Sequence, residues 1–420
     1  VTRPGGRVVS RSPAARLFGP TFLGVLGLAL LGFGLESIVR AVIPLMVLER
    51  GGDAVWIGVV TAAAALPSVL FRPYVGRLID TWSHQNLLRI GTAATAFGAA
   101  LLLLPGLATL AVMRLVHGTG WATYSVANHA LMAKLAPADR RGEASGWFMA
   151  MPAAAMLVTP AAGVALFVSA GEAAPIAAAL ALGVAAIGLA IAIRVPQGSG
   201  GHAVAGSGSA AERDRILERT AIPSTVMITA FMAGHSLFFA FPAVYLDFAG
   251  ESTDVLPAYY LVYGVVMTVS QLLVGGVSDR VGRAWTIRVG CAVAIAGFVA
   301  ALVLDGVPAL VVASAAYAVG MSLVSPTLSA LTIDLAPAGR LGAAMATYSL
   351  GYQLGAGSSA IVWGIVIGAF GFPWPFALAI ALQLVTLALT VELGTGSLRA
   401  AGSMPARTMR PGSNEPGDRG

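Results

Sequence analysis

Apolar runs of membrane-spanning length, separated by short charged segments, dominate the chain. A helix needs about 20 mostly apolar residues to cross a bilayer. Twelve stretches fit: 17–44, 54–75, 87–104, 108–133, 144–168 and 173–193 in the first half, then 223–246, 256–276, 285–304, 308–333, 341–369 and 373–394 in the second. Residues 194–222 interrupt the series with GSGGHAVAGSGSAAERDRILER, Gly/Ser-rich and then charged, which reads as an aqueous linker. The pattern predicts an all-α integral membrane protein of 12 transmembrane helices in two six-helix lobes, 17–193 and 223–394, with tails at 1–16 and 395–420.

The halves repeat one another. LAPADRRG, Leu135 to Gly142, returns as LAPAGRLG, Leu335 to Gly342, 200 positions later with six of eight residues identical. GRLID, Gly76 to Asp80, shares its Gly-x-x-x-Asp spacing with GGVSD, Gly275 to Asp279, 199 positions on, and each continues into Arg-x-Gly, at Arg89 and at Arg288. A repeat this long and this apolar is half of a two-lobed membrane protein, so the lobes are expected to be pseudo-symmetric.

Composition changes the picture in three respects. Soluble domains are about 25% charged; this chain is 10% charged and 57% hydrophobic, which excludes a soluble fold. The net charge of +6 is dispersed between apolar runs and points to topology, not to nucleic acid. A single cysteine, Cys291, excludes an internal disulfide and a cysteine metal cluster, and no cofactor is expected.

Charge placement sets orientation. One face receives the tails, the linker, Arg77, Arg89, Arg140, Arg141, Arg280, Arg283, Arg288 and Arg340. The other receives only Arg40 and Arg50 as basic residues, beside Glu49, Asp53, Glu172, Asp247, Glu251, Asp254 and Asp305. The positive-inside rule places the first face in the cytoplasm, and the opening residues read as a cytoplasmic tail, not as a signal peptide. Of the 25 basic residues all but Lys134 are arginine, a bias that fits a GC-rich bacterial source and its cytoplasmic membrane.

A charge inside the bilayer costs about 2.5–3.5 kcal/mol on insertion scales and marks function or pairing. Glu36 and Arg40 fall in span 1, Arg114 and His117 in span 4, and His235 in span 7. Each of Glu36 and Arg114 lies twenty residues from a basic residue at the inner surface, Arg16 and Lys134, so the two share a depth of about 30 Å along their helices. They are expected to meet or to share a cavity, while Glu36 also has Arg40 one turn away. His235 stands 199 positions after Glu36, the matching place in the second half.

Three- and four-residue steps gather Arg114, His117, Trp121, Ser125 and Asn128 into one polar-aromatic stripe, read as a cavity wall. Span 8 offers Tyr260, Tyr263, Met267 and Gln271 on one face, and span 11 offers Tyr348 and Tyr352, linings suited to partly polar organic ligands or to ordinary packing. Thr159, Pro160 and Gly163 of span 5 are candidate flexing positions. In the loop after span 8, Gly275 and Gly282 permit close packing and a tight turn, and Asp279, Arg280 and Arg283 are a candidate latch that also suits anionic lipid headgroups.

GGVSDRVGR resembles the cytoplasmic loop signature of the major facilitator superfamily, Gly-x-x-x-Asp-Arg-x-Gly-Arg, between spans 8 and 9. GRLIDTWSHQ keeps Gly76 and Asp80 but carries Thr81, Ser83 and His84 where that pattern has basic, Gly and basic residues. LAVMRLVHGTGWA, Leu110 to Ala122, is similar to the family's span 4 signature, with His117 in the glutamine position and Arg114 on the arginine linked to proton transfer. VTPAAG, Val158 to Gly163, is similar to the span 5 signature of exporters, with Thr159 replacing a glycine. The resemblance implies two lobes around a central cavity that opens alternately to each face.

The expectation is a proton-coupled exporter of a small drug-like or metabolite molecule, acting as a monomer whose partners are that solute, protons and membrane lipids. The alternative is a symporter or uniporter that imports a nutrient or metabolite. A membrane-embedded transferase would need acidic residues for metal and phosphate, and no Asp-rich pair lies in or beside a span.

Overall fold

The computed structural model describes residues 18–137, 140–194, 217–274, 277–337 and 340–402. Six long helices form the first lobe: α1 Pro20–Glu49, α2 Ala54–Thr81, α3 His84–Ala100, α4 Leu107–Leu135, α5 Arg141–Ala170 and α6 Ala173–Ala192. The second lobe has α7 in two pieces, α7a Ile222–Ala240 and α7b Pro242–Phe248, then α8 Leu256–Val274, α9 Arg283–Val303 and α10 Gly306–Leu335. It closes with α11a Leu341–Gln353, a π-helical turn Leu354–Ser358, α11b Ser359–Phe370, and α12 Pro373–Gly402. The face at which α1 begins is termed the tail face, and the opposite one the far face.

Among the described residues, eleven helical segments are long and apolar enough to cross a membrane. The twelfth long helix is α4, which carries Arg114, His117 and Asn128 buried against its neighbours. It falls short on apolarity because its polar groups face protein and not lipid.

The lobes repeat in three dimensions. In the first, α1 packs on α5 and α6, α2 on α4, and α3 on α4 and α6; in the second, α7 packs on α11 and α12, α8 on α10, and α9 on α10 and α12. Helix ends repeat too: Gly171 and Gly371, 200 positions apart, end α5 and α11b at φ 75° and 80°, a left-handed turn that glycine adopts without a Cβ clash. Arg89 donates to the carbonyls of Ala190 and Ile191, and Arg288 approaches that of Thr390, so each arginine ties α3 or α9 to the last helix of its own lobe.

The break in α7 has a local cause. Pro242 has no N–H for the carbonyl of Phe238, and the chain turns at Phe241. Two tyrosines of α8 supply donors, Tyr259 Oη to Phe238 O at 2.6 Å and Tyr260 Oη to Phe239 O at 2.7 Å. Irregular backbone at membrane depth is tolerated where protein satisfies it in this way.

The lobes meet along α2 and α11, and along α5 and α8, a pairing that respects the pseudo-symmetry. The far-face half of the first seam is shut backbone to backbone. A Cβ added at Gly58 would lie 2.4 Å from Ala360 O, and one at Gly364 would lie 2.3 Å from Ala54 O.

One expectation changes. Arg40, expected among the far-face charges, lies inside α1, well short of the helix end at Glu49, and turns back onto Glu36. Span 11 crosses as expected, with the π-helical turn Leu354–Ser358 inside it.

Candidate functional site

Helix α1 is buried along most of its length, and Glu36 sits midway, 5% exposed. Three cationic or potentially cationic groups surround its carboxylate. Arg40, one turn on, donates to Glu36 Oε1 from Nη2 at 2.9 Å and from Nε at 3.3 Å. Arg114 of α4, 2% exposed, brings Nη1 to 3.8 Å from Oε2. His117, fully buried one turn beyond Arg114, places Nε2 at 2.6 Å from Oε2. Glu36 hydrogen-bonds Arg40 one turn away, and Arg114 stays buried beside it at 3.8 Å, with no hydrogen bond from Nη1 among the described residues.

Hydrogen-bond chemistry fixes the proton count. His117 Nδ1 lies 2.9 Å from the carbonyl oxygen of Thr95, which only accepts, so Nδ1 carries hydrogen. Nε2 and Oε2 at 2.6 Å therefore need one further proton between them, as carboxylic acid donating to imidazole or as imidazolium donating to carboxylate. Without it, two lone pairs would face each other. Either form makes the pair neutral overall.

Glu36, Arg40 and Arg114 border a cavity between the lobes. Trp121 and Ile43 add apolar wall from the first lobe; His235, Phe239 and Gln353 close it from the second. Arg40 lies over the Phe239 ring at 5.9 Å, Phe239 stacks on His235 at 5.5 Å, and His235 Nδ1 is 3.1 Å from Tyr263 Oη. The matched positions Glu36 and His235 thus border one cavity from opposite lobes.

The other predicted residues divide. Tyr260, Tyr263, Gln271 and Pro160 line a second, smaller cavity at the α5/α8 seam, which shares Phe239 with the first. Asn128 lies deeper in α4 toward the tail face, donating to Tyr124 Oη at 3.4 Å. Tyr348 donates to Ser325 O at 2.8 Å in packing between α11 and α10, and Tyr352 packs half-buried against the core. Thr159 bonds its own helix at Ala155 O, and Gly163 lies against Ile38 of α1. In the loop motif, Arg283 reaches Asp334 at 3.1 Å and Ser278 at 2.7 Å within its own lobe, while Arg280 and Gly282 are exposed. Gly275 and the side-chain surroundings of Gly76, Asp80 and Asp279 lie outside what the structure describes.

Sequence reasoning missed Thr61, Ser68, Ser236 and Gln353 on the cavity wall, and the Thr95 carbonyl. Gln353, an amide inside an apolar run next to Tyr352, carried the signal that could have found it.

No curated protein matches the sequence. Three solved structures share the fold at low identity. The nucleoside transporter NupG aligns at TM-score 0.68 and 13% identity over 92% of this chain and 100% of its own. The peptide transporter POT in complex with sulfate aligns at 0.72 and 15% over 90% and 94%. The human organic anion transporter MFSD10 (TETRAN) aligns at 0.65 and 15% over 90% and 100%. The sequence itself matches the Major Facilitator Superfamily over residues 24–307 and again over 225–397, so this chain, a membrane transporter and not an enzyme, belongs to that superfamily.

Proposed function

We propose that the protein carries a small organic solute across a membrane by alternating access, coupled to one proton held between Glu36 and His117. The observation that supports this is the 2.6 Å contact of the fully buried His117 with Glu36, which itself lines a cavity bordered by both lobes. The α2/α11 seam shuts the far face in this state; parting that seam would turn the same site outward. The arginine-rich tail face is cytoplasmic in this reading, the membrane is a bacterial cytoplasmic one, and a monomer bordered by lipid suffices for transport.

Export by antiport, which VTPAAG supports, requires solute and proton to exclude each other at Glu36. Co-transport requires the loaded proton to favour the solute. Charge balance supports co-transport. The proton-bearing pair is neutral, and Arg40 and Arg114 then leave two positive charges on the wall, with no other acidic residue among the described residues that line the cavity. Uptake is therefore the favoured direction, and export the competing one.

Proton movement tests the reading. The protein is reconstituted with a pH-sensitive dye inside liposomes and the membrane potential clamped, then challenged with cationic, neutral and anionic solutes beside Glu36→Gln. A solute that acidifies the lumen as it enters, in wild type alone, supports co-transport, and one that alkalinises it supports export by antiport. Solute uptake with no proton movement overturns coupling.

A further inference from the structure

Arg114 is 2% exposed, and neither its Nε nor its Nη1 has a hydrogen-bond partner among the described residues. Buried guanidinium N–H groups are strong donors, and leaving them unsatisfied is unfavourable. Glu36 Oε2 stands 3.8 Å from Nη1 and is engaged by His117 at 2.6 Å. Arg40, the second cation on the wall, is one-third exposed. The cavity beside these two arginines is not purely polar: Ile43, Ala64, Trp121, Phe239 and Ala356 give it apolar surface.

We infer that this cavity binds a small organic anion, its single acidic group on Arg114 and Arg40 and its apolar body against Trp121 and Phe239. A carboxylate or sulfonate offers several acceptor oxygens, which suits a guanidinium that has N–H groups without a partner among the described residues. It also offsets one of the two positive charges that the neutral Glu36–His117 pair leaves in a low-dielectric site. A cationic solute would add a third. Ser236 and Gln353 border the cavity from the second lobe and complete a binding surface shared by both lobes. The inference rests on the transport reading above for its purpose, but not for its test.

Binding is measured without any gradient, by thermal shift and titration calorimetry on purified protein in lipid nanodiscs. The probes are benzoate, phenylacetate, 2-naphthoate and benzenesulfonate, each beside its neutral amide, with chloride and inorganic phosphate as separate arms. The acids are expected to bind at least about tenfold more tightly than their amides, a difference of about 1.4 kcal/mol. Arg114→Gln is expected to remove that preference, Arg114→Lys to retain part of it, and Glu36→Gln, which removes the resident competitor for Arg114, to strengthen acid binding. Folding of each variant is checked by monodisperse elution, and Arg114→Lys carries the test where Arg114→Gln does not fold. Equal binding of acids and amides, binding of none of the acids, acid preference that survives Arg114→Gln, or binding of chloride or phosphate alone overturns the inference. Failure here leaves proton-coupled transport of another solute class standing, and failure of the proton-movement experiment leaves the anion site standing.

Discussion

His117 Nε2 stands 2.6 Å from Glu36 Oε2, while its other ring nitrogen is held 2.9 Å from the carbonyl of Thr95. The backbone acceptor places hydrogen on Nδ1, so one proton lies between the carboxyl and the imidazole. Replacing His117 by alanine leaves Glu36 Oε2 without its buried hydrogen-bond partner, at a cost of about 1–3 kcal/mol. In a double-mutant cycle, Glu36→Gln and His117→Ala are expected to couple by about 0.5–3 kcal/mol in thermal stability. Additive effects would separate the two residues.

The seam between α2 and α11 depends on glycine. A side chain at Gly58 would collide with the backbone at Ala360, so Gly58→Val is expected to hold the far face open. A Cβ at Gly368 would lie 3.6 Å from the Val55 side chain, which makes Val55→Cys with Gly368→Cys a reporter of closure in a Cys291→Ser background. The disulfide is expected to form readily with Gly58 and to be largely lost with Gly58→Val. Unchanged cross-linking would mean that the seam does not need the glycine.

The kink in α7 predicts a rescue. Tyr259→Phe strips the Phe238 carbonyl of its donor and is expected to destabilise by about 1–3 kcal/mol. Adding Pro242→Ala restores a backbone N–H four residues after Phe238, so the double variant is expected to recover part of the loss. Thermal unfolding in detergent reads both.

Outside the membrane, Glu218 pairs with Arg340 and caps the turn before α7 through Thr220 N–H. Burial pushes the Glu218 carboxyl up, but the Arg340 guanidinium and the Thr220 amide outweigh it and hold it below the ordinary carboxylate value. A lowered carboxyl contributes stability above its unfolded value, about 4.3, and loses it as pH falls through the folded one. Arg340→Gln is therefore expected to melt lower than wild type at pH 7, with the gap closing below about pH 4. A gap that persists in acid would point to lost packing instead of lost charge.

Much of this was legible in the sequence, because hydropathy and repetition act over long distances. Twelve spans, the lobe repeat and the shared depth of Glu36 and Arg114 follow from helical rise and spacing alone. The 200-residue repeat also contains Gly106 with Gly306 and Gly171 with Gly371, all at positive φ, which a closer comparison of the halves would have found. Two features were not legible. A helix backbone presents no sequence signal for accepting a foreign hydrogen bond, so the role of the Thr95 carbonyl emerges only when α3 and α4 pack. Repeated motifs also diverge in partner: Arg140 pairs with Glu143 three residues on, whereas its counterpart Arg340 reaches back 122 residues to Glu218.

The most direct test of a proton carried by Glu36 and His117 separates exchange from accumulation in Glu36→Gln. Proteoliposomes are preloaded with unlabelled solute, the tightest-binding acid of the panel, and exchange of the labelled form is compared with its uptake driven by an imposed pH gradient. Exchange without net proton movement needs only a protonated-like carboxyl and a working cavity, which glutamine mimics. Glu36→Gln is expected to exchange solute at a rate comparable to wild type and to accumulate none against its gradient. Gradient-driven accumulation that survives in Glu36→Gln would contradict a proton carried by this pair.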